Sequence, residues 1–126
     1  MSTNNGKHGP LGRYSLLRAV PMGTGKMVYV SGLTSGPDAP FDVRAQTRII
    51  FARIGELLAT EGGELSNLVK ITAYLVDMRE YGAYNDVRNE IFAGIATPPV
   101  SASVGVNELV RPEARIEIEG VAYIER

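Results

Sequence analysis

From Val43 onward the apolar residues switch repeatedly between two spacings, and that switching limits the folds open to the chain more than any single motif. Val43, Thr47, Ile50, Ile54 and Leu57 recur at helical spacing behind Asp42, a residue type that caps helix N-termini, and "EGGE" ends the run. "NLVKITAYLVD" then alternates as a strand, with Val69, Ile71, Ala73 and Leu75 on one face and Lys70, Thr72, Tyr74 and Val76 on the other. The helical period returns from about Arg79 to Ala93 and stops at "TPP", because proline cannot continue a helix and restricts the residue before it. "TPPVSASVGV" reads as the entry into a buried strand, with Val100, Ala102, Val104 and Val106 on one face and Ser101, Ser103 and Gly105 on the other. "RIEIEGVAY" is the last strand, and upstream "RYSLLRAV" and "MVYVSG" form a hairpin joined through "PMGTGK". This order predicts an α+β domain, two helices packed on one face of a mainly antiparallel or mixed β-sheet. The 126 residues suit a single domain, with residues 1–10 expected to be a flexible tail.

Composition removes several classes of chemistry. With no cysteine, thiol nucleophiles, redox pairs and thiolate metal sites are excluded, and the sole imidazole, His8, falls in the expected tail. We therefore expect no metal site. Thirteen Lys+Arg against fourteen Asp+Glu, with no basic run, lack the electrostatic footprint of a nucleic-acid binder. No apolar run is long enough to cross a bilayer and no export signal stands at the N-terminus, so a cytoplasmic protein acting on a small molecule is expected. Phosphate-binding loops, dinucleotide fingerprints and nucleophile elbows are absent.

Two groups of ordinary residues remain as candidates. Glu117 and Glu119 alternate with Ile116 and Ile118, so both carboxylates leave the face opposite the apolar one, together with Arg115 and Tyr123. Desolvated by an oligomer they would suit proton transfer; paired with Lys70 or Arg115 they would be structural. Tyr29, Tyr74, Val76, Val121 and Tyr123 make that face half apolar, as expected of a surface buried between subunits. On the second helix, 100° per residue places Arg88 inside the apolar arc of Tyr84, Ile91, Tyr81 and Phe92, beside Asn85. Its guanidinium either snorkels past these neighbours or faces a pocket where it can hold a carboxylate in a forked geometry.

"VYVSG", "AQTRIIFARIGELLATEGGELSNLVKITAYLVDM", "YNDVRNEIF", "PP" followed by "SVGV", and "RIEIEGVAY" resemble, in order and spacing, the RidA/YjgF/YER057c/UK114 family over most of the chain. The resemblance implies a chorismate-mutase-like fold, a homotrimer whose sheets line a central barrel, and clefts at the subunit interfaces. Members of the RidA type hydrolyse reactive enamines and imines to a keto acid and ammonia without a metal or cofactor. Carried over by motif, Tyr14 of "GRY" resembles the cleft tyrosine and Gly32 of "VSG" the glycine whose backbone faces the ligand. Asn85 resembles the helix asparagine, and Glu119, the second glutamate of "IEIE", the residue that positions the attacking water.

One position departs from the pattern. Where active deaminases read proline, small residue, arginine, this chain reads Pro99, Val100, Ser101, so the arginine that clamps the substrate carboxylate is missing. Ser103 stands where many members carry Cys or Thr, and Arg88 where tyrosine is common. The expectation is hydrolytic deamination of an imine, enamine or related conjugated substrate, with Glu119 catalytic and Tyr14, Gly32, Asn85, Arg88, Ser101 and Ser103 binding substrate. The alternatives are a ligand-binding or regulatory trimer without turnover, and a lyase or cyclase using the same glutamate.

Overall fold

The structure is a computed structural model that describes Gly9 and residues 11–125; the expected tail, including His8, otherwise lies outside the described residues. Five strands and two helices follow in the order β1 (Leu17–Met22), β2 (Gly25–Leu33), α1 (Val43–Ala59), β3 (Leu68–Leu75), α2 (Tyr81–Phe92), β4 (Val100–Gly105) and β5 (Ile116–Glu125). The sheet order is β1-β2-β5-β3-β4, antiparallel throughout except for the parallel β3–β4 pair, which α2 connects. The expected α+β architecture, two helices on one face of a mixed sheet, is the one observed.

Local signals account for the boundaries. β1 and β2 close over Gly23 and Thr24, where Gly23 takes the positive φ (60°) that a two-residue hairpin loop requires. Asp42 caps α1, its carboxylate accepting from the Ala45 N–H at 2.9 Å. At the other end Gly62, with φ 80°, lets the chain turn so that the Gly63 N–H reaches the Leu58 carbonyl at 2.9 Å.

The core lies between the helices and one sheet face, where Ile50, Phe51, Ile54 and Leu58 of α1 and Tyr84, Val87 and Phe92 of α2 meet Val28, Ile71, Leu75, Ile116, Ile118 and Ala122. Phe51 and Phe92 join the helices edge to face, ring centres 5.4 Å apart. Gln46, buried in this layer, donates to the Pro40 and Glu113 carbonyls and accepts from the Arg115 N–H, which ties the approach to β5 onto α1.

Three expectations need correction. Val69 is 49% exposed, because β3 bulges between Leu68 and Lys70 and Leu68 takes the core position in its stead. Leu57 is only partly buried; Leu58 completes the apolar face of α1. β4 is an edge strand rather than a buried one, with Val100 66% and Val104 40% exposed. Its parallel register pairs Ser101 with Ile71 and Ser103 with Ala73, so the serines face the helix side and the valines the open side.

Candidate functional site

The predicted site residues gather in two places, on opposite faces of the sheet. On the open face Glu117 and Glu119 project from the middle of β5, opposite Tyr74 and Thr72 of β3. On the other side β2 bulges: Val30 pairs with Gly120 and Leu33 with Ile118, so Ser31 and Gly32 together face the single residue Glu119. Bulges of this kind re-aim backbone groups and recur beside active sites. A Cβ at position 32 would run into Glu117 Oε2 and come within 3.0 Å of its Cδ, so the end of the Glu117 side chain rests against the Gly32 backbone. The segment preceding β1 lies along this bulge, with the Ser31 N–H donating to Leu16 O and Ser31 Oγ to Ser15 O. Tyr14, two residues upstream of Leu16 in this segment, is 38% exposed.

The electrostatics of this face are those of negative charge without a counter-ion. Neither Glu117 nor Glu119 makes an ion pair among the described residues, and the structural alternative does not hold for Arg115. Arg115 instead pairs with Glu80, its Nε 2.8 Å from Oε1, and stacks over Phe41. Burial, and then the neighbouring charge of Glu119, push the Glu117 carboxyl above the usual carboxylate range. The Tyr74 phenol is likewise pushed up, first by burial and then by the charge of Glu119.

The second group lies between α2 and β4. Asn85 and Arg88 are one helical turn apart, and Tyr81 lies a further turn back on the same stripe. The Arg88 guanidinium crosses to the sheet edge: Nη1 donates to Ser101 Oγ at 3.0 Å, and Nη2 donates to Tyr81 Oη at 3.0 Å and to Asn85 Oδ1. It also lies over the rings of Tyr84 and Tyr81, 5.2 and 5.8 Å from their centres. A cleft of about 490 Å³ opens here, bounded by Arg88, Tyr81, Phe92, Pro98, Pro99 and Ser101. Ser103, two residues along β4, is half-buried.

Sequence reasoning placed Arg88 correctly near Asn85 but treated Tyr81 and Tyr84 as apolar filling; their hydroxyls, at helical spacing from Arg88, were the signal for a polar cluster. It also did not foresee the bulge in β2, for which only the "SG" pair gave a sign. Among the described residues no group of three or more His, Asp or Glu is placed to hold a metal, and no helix is long and apolar enough to cross a membrane.

Comparison with known proteins agrees with this fold. A family model described as "Endoribonuclease L-PSP" matches residues 6–124. A RutC family protein of Pyrococcus abyssi is 30% identical over 121 residues, covering 92% of this chain and 90% of the relative. A protein of Dermatophagoides farinae named 2-iminobutanoate/2-iminopropanoate deaminase is 30% identical over 126 residues, covering 92% of this chain and 89% of the relative. Among solved structures, a YjgF/YER057c/UK114 family member from Mycobacterium tuberculosis superposes with a TM-score of 0.74 at 33% identity, covering 88% of this chain and 86% of that one. With its mixed five-stranded sheet, its paired helices and a family match from residue 6 to residue 124, the chain belongs to the RidA/YjgF family.

Proposed function

We propose that the protein hydrolyses the C=N bond of an imine, or of the imine tautomer of an enamine, in a cleft between subunits of a homotrimer. The observation that carries this reading is Glu119: a carboxylate in the middle of the sheet, facing a backbone bulge, with no cation to neutralise it. Two relatives bearing the 2-iminobutanoate/2-iminopropanoate deaminase name, at 30% and 31% identity, support the reaction class.

The chemistry follows from that geometry. Glu119 accepts a proton from a water molecule as the water oxygen bonds to the imine carbon, and the substrate nitrogen takes up a proton, giving a tetrahedral carbinolamine. A second proton to nitrogen breaks the C–N bond; the carbonyl product and ammonia leave, so one water is consumed per ammonia released. Glu117, its carboxyl pushed up first by burial and then by the charge of Glu119, returns the proton. General acid–base assistance of this kind contributes about 100- to 10,000-fold.

The oligomer is part of the proposal because a single protomer does not complete the site. Register places Ser101 with Ile71 on the helix side and Glu119 with Thr72 on the open side, so the sheet itself separates Glu119 from Asn85, Arg88 and Ser101. A second copy laid across the half-apolar open face brings its own α2–β4 edge to Glu119. Tyr29, 46% exposed, and the half-buried Val121 and Tyr123 are the surface it would cover.

The test is ammonia release from freshly generated 2-imino acids by wild type and Glu119→Gln, with the mass of both measured by light scattering. Release above the spontaneous rate by wild type, lost in a Glu119→Gln protein of the same trimeric mass, is expected. A monomer, or no release above background, contradicts the reading.

A further inference from the structure

We propose that Arg88 is the carboxylate ligand of the cleft, and that it selects acids with an apolar carbon body, which would rest on Phe92, Pro98 and Pro99. The inference rests on the substrate cleft proposed above and specifies what that cleft recognises.

Arg88 is the cation of the α2–β4 cleft, and every partner it has there is neutral. Ser101, Tyr81 and Asn85 together take three of its N–H donors. A guanidinium carries five, so Nε–H and one Nη1–H remain for a ligand, and no carboxylate neutralises the charge among the described residues. A structural arginine at a helix–strand contact is ordinarily paired with an acid. Here Asp86 and Glu90, the acids nearest in sequence, are drawn away to Arg44 and Arg48 of α1.

A second observation concerns the floor of the same cluster. The Tyr84 side chain is fully buried, yet its hydroxyl has no hydrogen-bond partner of ordinary geometry. A buried hydroxyl left unmatched costs roughly 1–3 kcal/mol, and such groups in native structures call for an explanation. It stands within the field of Arg88 and beside Ser101. An oxygen-rich anion held by Arg88 would reach it through Ser101, which lines the cleft and lies beside the Tyr84 hydroxyl.

The position of the charge defines the ligand. The guanidinium comes from the helix and bonds the Ser101 hydroxyl at 3.0 Å, so the charge stands beside position 101 and not on it. The space in front of it is therefore open, and Phe92, Pro98 and Pro99 line it. A carboxylate seated on Arg88 would lay the carbons attached to it along these apolar groups. Two- and three-carbon acids leave that surface uncovered; longer aliphatic or unsaturated acids cover it.

The experiment measures binding separately from turnover. Isothermal titration of the intact protein with 2-oxohexanoate, its amide 2-oxohexanamide, and 2-oxopropanoate is compared for wild type, Arg88→Lys, Arg88→Ala and Arg88→Ala/Ser101→Arg. Expected are tighter binding of 2-oxohexanoate than of 2-oxopropanoate, a loss of about 30- to 1,000-fold for the acid in Arg88→Ala, and little change for the amide. Arg88→Lys is expected to retain part of the affinity, and the double variant to regain carboxylate binding from the strand. Equal losses for acid and amide, no loss for the acid, or no binding of the acid by wild type overturn the inference. Arg88-dependent binding in a protein that releases no ammonia leaves the inference standing and removes the proposed hydrolysis; ammonia release unaffected by Arg88→Ala does the reverse.

Discussion

The two polar clusters of this protein are mirror images in charge. Among the described residues, a guanidinium between α2 and β4 is surrounded by hydroxyls and an amide without an ion-pair partner, and in the middle of β5 two carboxylates stand without one. Either group left unmatched costs the fold some stability, and each could have been matched by the other had they shared a face. The sheet keeps them apart within one chain, and the proposed subunit interface is where they would meet.

Glu119→Gln separates the clusters most sharply. It removes the proposed base while keeping the side-chain shape, and a loss of about 100- to 10,000-fold in ammonia release is expected with the proposed carboxylate binding by Arg88 intact, measured by coupled assay and titration. Ile118→Ala, one residue away but pointing into the helix-covered core, should do the reverse. Its buried side chain leaves a cavity costing about 2–5 kcal/mol in urea unfolding, while the activity of the protein that remains folded stays near wild type.

Glu117 offers a pH test of the acidic cluster. An acid whose pKa is raised in the fold binds more protons there than in the unfolded chain, so stability falls as pH rises from the ordinary carboxylate range through the raised value, then levels off. Urea midpoints followed against pH should show this fall in wild type and not in Glu117→Gln. The smallest effect is expected for Gly32→Ala, which displaces the movable end of Glu117 rather than backbone and costs about 1 kcal/mol. Carbon-13 NMR should then find the Glu117 pKa lowered, because the carboxylate is pushed out towards water.

The elements were legible in the sequence because their signals are local. Asp42 caps α1, Gly62 ends it, α2 closes at Phe92, six residues ahead of Pro98, and alternation marks β3 and β5. What was not legible depends on pairing between distant segments. The bulge at Val69 and the bulge that sets Gly32 against Glu117 are properties of two strands at once, and alternation within one strand does not report them. β4 illustrates the same limit: alternating valines and serines fit a buried strand, but only its place at the sheet edge decides how much water each face meets. In the site, helical spacing placed Arg88 beside Asn85, whereas the reach of its guanidinium to Ser101 needed the parallel β3–β4 register.

The most direct measurement is complementation between inactive protomers. Glu119→Gln and Arg88→Ala chains, each with little activity alone, are coexpressed in equal amounts and purified together as one random mixture. If every site draws its carboxylate from one protomer and its guanidinium from the next, about a quarter of the sites in a random mixture regain both, and ammonia release should return to about that fraction of wild type. Activity in the mixture no higher than in either parent would show that the two clusters do not meet across the interface, and would contradict the account.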